Sequence, residues 1–458
     1  MRGGTMRRLR WLVNARHSFE LYRAFLWLAL PFGCLFVFLV PPFQSPDEPN
    51  HFFRAYQVSE GVFYAEKKEQ RLGGELPLSL SQVRDSFLFL KMNYESRLDK
   101  NLIFRQLKTP LGTSLRVFTD FPNTAIYAPT AYFPQATAIA LVRPLGATPL
   151  QMLYAVRFAN LFIWLLLVQA AIRLMPFLKN ALAALALLPA SLVIAASANA
   201  DVITNGLSWW LMAAFCARMS GQFKTVTSAV VIAANKLIAL PLALLVLIGK
   251  KQRGRFVFLF SAALFAALAW GYFAQKQFIS YDNYHPAFRE AQTLSEGVDP
   301  ARQQVFILQN PLFFAKTVFF SAIKALPSTA AHFVGKFGWE KNYLHPLWLA
   351  ALWAMLAAVF FSEKNPLATR QRLLAAGVAV LYAGMFAVTM YALWCPVGAM
   401  EITNFQGRYF VPIAPVLALV LANNWLEKFR NEIRLGAVLI MVFGNCAMII
   451  SILTRYYA

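Results

Sequence analysis

Long apolar runs recur along the chain and limit its fold more than any other feature. About 20 apolar residues span a bilayer as a helix, and here 59% of 458 residues are hydrophobic while 14% are charged. We place spans at 24–40, 151–172, 181–197, 203–219, 256–276, 343–361, 373–393, 409–424 and 435–453. Together with two half-spans in a broken segment at 225–249, the pattern predicts an all-α polytopic membrane protein with about eleven transmembrane helices.

The net charge of +22 is compatible with nucleic-acid binding, but the positions of the charges favour another interpretation. Basic residues stand in short connectors between apolar runs, as the positive-inside rule expects of cytoplasmic loops. The basic connectors that alternation places on one side are Arg173/Lys179, Arg218/Lys224, Lys250–Arg255, Lys364–Arg372 and Lys428–Arg434. The charge therefore predicts membrane orientation, and we expect no nucleic-acid partner.

The N-terminus combines six arginines with a following apolar run, as a signal peptide does. The segment PPFQSP after that run lacks a small-residue cleavage site, so we expect the span 24–40 to be retained. We predict a cytoplasmic N-terminus at 1–23 and a single transmembrane domain at 24–458. Its two large external loops are 41–150, which we expect to carry the catalytic residues, and 277–342.

The broken segment TSAVVIAANKLIALPLALLVLIGKKQRGR predicts a hairpin that enters and leaves on one side. As a single crossing, it would place the basic residues at 250–255 outside. Its two halves are each too short for a full span, and broken helices at membrane depth need shelter from protein or a polar cavity. Lys236 lies at the expected tip, where a charge indicates a functional site; the alternative is a lysine that reaches the aqueous interface.

The stretch FQSPDEPNHFFRAY, directly after the first span, places two adjacent carboxylates where the chain leaves the membrane. Pro49 suits the first turn of a helix, so we predict a helix from about Glu48 to Ser59 with Asp47 as its N-cap. Helical spacing puts Asp47, His51 and Arg54 on one face. It puts Phe52, Phe53 and Tyr56 on the other face, which we expect to lie in the lipid interface.

A capping role explains Asp47 alone, because an acid at a helix N-terminus also favours the helix dipole. It does not explain the other charges that topology brings to the same outer layer. Asp201 lies in the short turn after a span, Lys236 lies at the hairpin tip, and Arg408 enters the outer end of another span. We therefore predict one site at the external surface of the membrane.

Carboxylates and cations at a lipid surface suit chemistry on a lipid-linked phosphate. Cations hold the phosphate and stabilise its charge as it leaves, and a carboxylate within reach takes the proton of an incoming hydroxyl. The chain contains no GxGxxG or GxxxxGK[ST] motif for a nucleotide. We expect no cofactor and no metal ligands, with Mg²⁺ or Mn²⁺ held by Asp47, Glu48 and Asp201 as the alternative.

Five motifs support a family resemblance: PPFQSPDEPNHFFRAYQVSEG, YAPTAYFPQA, RFAN, SANAD and NFQGRYFVP. They resemble an uncharacterised bacterial family of predicted membrane proteins within the GT-C superfamily of glycosyltransferases. The resemblance covers residues 41–415 and implies a GT-C-like bundle with external juxtamembrane helices in the first loop. It implies a polyprenyl-phosphate sugar donor in the lipid, and a glycan or lipid-linked acceptor.

The resemblance also implies roles for individual residues. Asp47 matches the catalytic acid of the first external loop, and Glu48 completes an Asp-Glu pair. The residues expected to contact substrate or phosphate are His51, Arg54, Tyr127, Gln135, Asp201, Lys236, Gln406 and Arg408. The expected activity is inverting sugar transfer on the external face of a bacterial plasma membrane. The alternative is a transporter or flippase of envelope substrates, which also uses broken helices and intramembrane charge.

Overall fold

The computed structural model describes residues 20–219, 223–248, 253–291, 296–339 and 342–458. Most of the predicted cytoplasmic segment 1–23, together with Lys250 and Lys251, lies outside these ranges. The described chain is mostly helical, and helix α1 (Leu21–Leu39) is followed by a long connection. That connection contains α2 (Glu48–Ser59), β1 (Glu66–Lys68), β2 (Arg71–Pro77), α3 (Leu78–Asp85), α4 (Lys100–Gln106), β3 (Arg116–Asp120), α5 (Pro122–Ala125) and α6 (Phe133–Val142).

The rest of the chain forms twelve further α-helices within the described residues, with short 3₁₀ segments between some of them. They are α7 (Pro149–Leu174), α8 (Lys179–Ala186), α9 (Pro189–Ala195), α10 (Asp201–Cys216), α11 (Phe223–Asn235), α12 (Arg253–Gln277), α13 (Pro300–Gln309), α14 (Pro311–Gly335), α15 (Pro346–Phe361), α16 (Thr369–Trp394), α17 (Ala414–Leu421) and α18 (Arg430–Tyr456). The important 3₁₀ segments are Leu237–Ile248 and Gly407–Ile413.

Five helical segments in the described part are long and apolar enough to cross a membrane, or six if one bent pair forms a span. They are Leu21–Leu39, Pro149–Leu174, Phe256–Gln277, Thr369–Trp394 and Glu427–Tyr456. The predicted span 181–197 is split before Pro189 into α8 and α9, because proline cannot donate to the preceding helical turn. The chain is therefore a helical membrane protein, while the total of about eleven crossings stays a prediction.

The first connection contains a small antiparallel sheet that the sequence did not lead us to expect. Its strand order is β1-β2-β3, and Gly73 of β2 pairs with Asp120 of β3. A Cβ at Gly73 would lie 1.9 Å from the backbone oxygen of Thr119, so a glycine is needed where β2 pairs with β3. The chain is mostly helical, as predicted, and this sheet is a local exception that was missed because short polar strands leave little trace in a hydropathy pattern.

The broken segment at 225–249 agrees with its prediction at the break. Helix α11 ends at Asn235 and the 3₁₀ segment begins at Leu237, so Lys236 stands between the two halves. The halves contact each other, and both contact α12, as in a hairpin. The fold thereby places a lysine at a tip surrounded by protein.

The segment 277–342, which we predicted as a loop, contains two substantial helices. Helices α13 and α14 meet at Asn310 with a bend of 107°. Helix α14 has 25 residues and packs on α9, α15 and the 3₁₀ segment at 407–413. The hydropathy pattern missed α14 because Lys316, Lys324 and Pro327 interrupt its apolar residues.

Candidate functional site

The stretch around Asp47 folds as the predicted helix but with a different role for its first acid. Helix α2 spans Glu48–Ser59, and Pro49 lies in its first turn. Asp47 has a left-handed backbone (φ 62°), and its side chain makes no capping hydrogen bond. Aspartate is one of the few residues that tolerate this conformation. Asp47 therefore occupies the predicted N-cap position, but its carboxylate does not cap the helix and bonds to other elements.

The Asp47 carboxylate joins two distant parts of the chain. Its Oδ2 accepts a hydrogen bond from Arg408 Nη2 at 2.6 Å, and its Oδ1 accepts one from Asn123 Nδ2 at 3.2 Å. The side chain keeps 25% of its exposure. Burial raises the pKa of Asp47, but the Arg408 guanidinium and nearby His51 more than offset this, so its pKa lies below the ordinary value. Asp47 is an ionised carboxylate with access to solvent.

Arg408 is positioned by a close contact between two backbones. A Cβ at Gly407 would lie 2.3 Å from Phe333 N of helix α14, so only glycine fits there. The guanidinium of Arg408 lies 5.1 Å from the ring centre of Tyr409. Its Nε is buried and has no hydrogen-bond partner within the described part of the chain. A buried donor without a partner is costly, so Arg408 retains capacity for an anionic ligand.

A second ion pair lies beside the first. Lys236 Nζ is 2.5 Å from Asp201 Oδ1, and both side chains are less than one-tenth exposed. Lys236 also lies 5.1 Å from the ring centre of Tyr409, the same ring that Arg408 contacts. The structure thus brings Asp47, Arg408, Asp201 and Lys236, predicted from four separate segments, to one place.

Glu48, predicted as the second catalytic acid, faces the protein interior. Its two oxygens accept hydrogen bonds from Arg157 Nε and Nη2 at 2.8 and 2.6 Å, and Oε1 also accepts one from Ala198 N. Neither Glu48 nor Arg157 has any exposed side-chain surface. A carboxylate so enclosed cannot touch a substrate. The prediction for Glu48 is corrected: it holds α2 against α7 and the turn before Asp201.

Arg54 was predicted to bind phosphate and is also buried. It bonds to the Gln57 side chain and donates to Phe63 O at 2.6 Å. These contacts fasten the chain after α2 to the helix, so the binding prediction is wrong. Phe52 and Phe53 have no exposure either. The aromatic face of α2 therefore packs on protein, and the expected contact with lipid is wrong.

His51 and Tyr127 form the wall next to Asp47. His51 Nδ1 lies 2.8 Å from Tyr132 Oη, and its ring meets Tyr127 edge-on at 5.8 Å. Burial lowers the pKa of His51 to about 4, although the Asp47 charge opposes this. His51 is therefore neutral at pH 7 and serves as a hydrogen-bonding group, and Tyr127 is half-buried above it.

The two predicted glutamines differ in their surroundings. Gln135 is fully buried, and its Nε2 donates to Asn199 O at 3.1 Å. It holds the turn that leads to Asp201, so we correct its predicted contact with substrate to a structural one. Gln406 lines a cavity next to Arg408. Of the two glutamines, only Gln406 is placed to contact a ligand.

Each hydrogen-bond partner of Asp47 lines a cavity, although Asp47 itself lines neither. The narrow cavity has a volume of about 30 Å³, and its polar lining includes Ser45, His332, Lys336, Gln406 and Arg408. The large cleft has a volume of about 1000 Å³ and is lined in part by Asn123, which bonds to Asp47. Asp47 is therefore bonded to one residue of a cationic cavity and to one residue of a roomy cleft.

Several residues of this region were not predicted. Arg157 lies in the RFAN motif, and an arginine inside an apolar helix was a usable signal for a buried carboxylate partner. Asn123, His332 and Lys336 carried no comparable signal, because only the folded chain brings them to Asp47 or Arg408. No three His, Cys, Asp or Glu side chains gather as a metal-binding group among the described residues. The carboxylates of Asp47, Glu48 and Asp201 are thus not assembled as ligands.

Fold and site together define a helical membrane protein with two neighbouring ion pairs, one of which includes a residue that lines a cavity. A family profile described as "Predicted membrane protein (DUF2142)" matches residues 30–417. The chain belongs to this family. No curated protein and no solved structure matches the chain at a significant level.

Proposed function

We propose that this protein is a GT-C-type glycosyltransferase that moves a sugar from a polyprenyl-phosphate donor to a glycan or lipid-linked acceptor. The observation that carries the proposal is the position of Asp47. It is an ionised, solvent-accessible carboxylate, and its hydrogen-bond partners Arg408 and Asn123 line the cationic cavity and the large cleft. A base between a site for phosphate and a site for an acceptor is what sugar transfer from a lipid phosphate requires.

The reaction follows from these positions. Asp47 accepts the proton of an acceptor hydroxyl, whose oxygen attacks the anomeric carbon of the donor. The bond from that carbon to the phosphate oxygen breaks, and its electron pair leaves with the polyprenyl phosphate. Arg408, Lys336 and Lys236 supply positive charge for the leaving group. Attack opposite to the leaving phosphate inverts the anomeric centre.

The ion pair of Asp47 with Arg408 gives the donor a way to activate the base. The narrow cavity, at about 30 Å³, holds little more than ordered water, so the residues that line it must move apart for a phosphate to enter. We propose that Arg408 leaves Asp47 in this rearrangement and pairs with the phosphate. Removing the guanidinium from Asp47 removes an interaction that lowers its pKa. Donor binding thereby raises the basicity of Asp47 when the acceptor needs it.

The proposed location is the external face of a bacterial plasma membrane, with a cytoplasmic N-terminus. It rests on the basic connectors that the positive-inside rule assigns to the cytoplasm. Lys428, for example, follows the far end of the helical segment that begins at Gly407, next to Arg408. Reporter fusions at Lys224 and Asn431 are expected to be cytoplasmic, and a fusion near Gly73 external. An external signal at Asn431 would contradict the orientation.

Two variants separate donor binding from chemistry. Arg408→Ala is expected to weaken binding of undecaprenyl phosphate to the detergent-solubilised protein at least tenfold, because a charge-assisted contact is lost. Asp47→Asn is expected to retain binding. In cells, both variants are expected to lose the envelope sugar that mass spectrometry shows to depend on the wild-type chain, since a general base contributes about 10²–10⁴-fold to rate.

The matched controls are Arg105→Ala and Asp85→Asn, which change the same charges at exposed positions elsewhere in the first connection. Both are expected to bind undecaprenyl phosphate and to supply the sugar as the wild type does. A normal envelope sugar with Asp47→Asn would refute the role of Asp47 and the proposed chemistry. Loss of export of an intact lipid-linked saccharide, with its sugars unchanged, would favour the transporter alternative.

A further inference from the structure

Most residues that line the large cleft have no role in the proposed reaction. It lies between the β1–β2 turn, the end of α12, the start of α13 and the end of α16, four regions far apart in sequence. Its volume of about 1000 Å³ is at the upper end of the roughly 300–1,000 Å³ typical of small-molecule sites. It therefore has room for a ligand larger than one sugar ring.

The polar groups of this cleft are mostly neutral amides. Five primary amides and one indole line it: Gln70, Asn123, Gln275, Asn283, Gln304 and Trp394. Within the described part of the chain, the side-chain amides of Gln70, Gln275 and Gln304 make no hydrogen bond to protein. Each amide offers two donors and an acceptor. Such groups match vicinal hydroxyls, which donate and accept at similar spacing.

The two charged residues of the lining are engaged with the protein. Lys67 Nζ donates to Lys276 O at 3.1 Å, and Asp299 caps helix α13 by accepting from Ala301 N and Arg302 N. The remaining hydrogen-bonding capacity of the cleft comes mainly from neutral groups, since Lys67 is the single cation among the described residues that line it. An anionic ligand would meet one exposed lysine here, whereas the cavity of Arg408 is lined by both an arginine and a lysine.

We infer that this cleft is a binding site for a neutral saccharide, which is the acceptor of the transfer reaction. That the bound saccharide is the acceptor rests on the proposed function. That the ligand is a saccharide rests only on the residues that line the cleft. Asn123 connects the cleft to the proposed base, because it lines the cleft and donates a hydrogen bond to Asp47 Oδ1. A hydroxyl bound beside Asn123 lies next to the base. Trp394 offers a flat apolar surface for the face of a sugar ring.

Saccharide binding without any donor tests the inference. Ligand-observed NMR titrations of the full-length detergent-solubilised protein would use neutral trisaccharides of glucose, mannose, galactose and N-acetylglucosamine, with sialyllactose as the anionic comparison. At least one neutral trisaccharide is expected to bind saturably and more tightly than sialyllactose. Binding of no neutral trisaccharide, or preferred binding of sialyllactose, overturns the inference.

Variants locate the binding in the cleft. Gln275→Ala and Gln304→Ala are each expected to weaken binding about 3–10-fold, the loss typical of one neutral hydrogen bond. Trp394→Ala is expected to weaken it by about tenfold or more. The exposed residues outside the cleft provide the controls Gln82→Ala and Trp425→Ala, which are expected to have no effect. Unchanged affinity in both glutamine variants also overturns the inference.

The saccharide-binding experiment and the test of the proposed function can fail independently of each other. Asp47→Asn is expected to bind the trisaccharide normally, since the carboxylate acts on the proton and does not line the cleft. If trisaccharides fail to bind while undecaprenyl phosphate still requires Arg408, the acceptor site is wrong and the donor site stands. If trisaccharides bind but Asp47→Asn leaves the envelope sugar intact, the transfer function is wrong and the saccharide site stands.

Discussion

Replacing Glu48 with glutamine is expected to damage the fold, although the sequence suggested a catalytic acid. The change keeps the size of the side chain and removes only its charge. Arg157 would then be a fully buried guanidinium without its carboxylate partner. Its remaining contacts are the carbonyl oxygens of Val37, Val40 and Pro41, which do not neutralise a positive charge.

The magnitude follows from the burial of both partners. Breaking a buried ion pair by removing one charge costs about 3–5 kcal/mol, because the other charge is left uncompensated in a medium of low dielectric constant. The loss in free energy of unfolding for Glu48→Gln lies at the low end of this range if the amide oxygen of glutamine keeps the hydrogen bond from Ala198 N. Arg157→Met is expected to cost as much, since three carbonyl groups then lose their donors.

The assay is thermal unfolding of purified protein in detergent, compared with Glu75→Gln. Glu75 pairs with Lys68 at 2.9 Å, but the two side chains are 38% and 56% exposed, so that control is expected to cost about 0–1 kcal/mol. Glu48→Gln is expected to lower the unfolding midpoint by several degrees more than Glu75→Gln. A Glu48→Gln protein that is as stable as the wild type yet inactive would refute the structural role and restore the catalytic one.

Three further perturbations test the site. Loss of Arg408 removes the larger of the two interactions that offset the burial of Asp47, so the pKa of Asp47 should rise and the acid limb of the pH–activity profile of Arg408→Ala should lie at higher pH than in wild type; coinciding limbs would contradict this. Because burial lowers the pKa of His51 to about 4 while an unfolded histidine titrates near 6.5, stability should fall as pH drops through about 6.5 to 4, and His51→Gln should lack this component in melting curves. Gly407→Ala should impair undecaprenyl phosphate binding as Arg408→Ala does, since its Cβ would lie 2.3 Å from a backbone nitrogen of α14, whereas Gly436→Ala, which faces open space, should not.

Features that depend on neighbours in sequence were predictable. The helix at Glu48–Ser59 follows from a proline in its first turn and from helical spacing. The break at Lys236 follows from two apolar halves that are each too short to span. The membrane class follows from apolar runs, because a lipid solvent requires long helical segments with satisfied backbone groups.

The partners of individual charges were not predictable in the same way. Asp47 and Glu48 are adjacent and chemically alike, yet Asp47 pairs with Arg408 and is partly exposed, whereas Glu48 is enclosed with Arg157. Likewise, the aromatic face of α2 has the composition of a surface that meets lipid, but it packs against protein. In both examples the residue types are compatible with either environment, and the surrounding elements decide which one the side chains meet.

The sequence by itself determined that this chain is a helical membrane protein, where several of its helices begin and end, and which segments carry charges toward one layer. Those properties arise from hydropathy and backbone chemistry over about 20 residues. Only the tertiary structure decided which charged side chains are accessible to a ligand and which are enclosed with a partner. A buried charge in a medium of low dielectric constant requires a partner within a few ångströms, and residues 109 positions apart, as Glu48 and Arg157 are, become partners only when the helices that carry them are packed together.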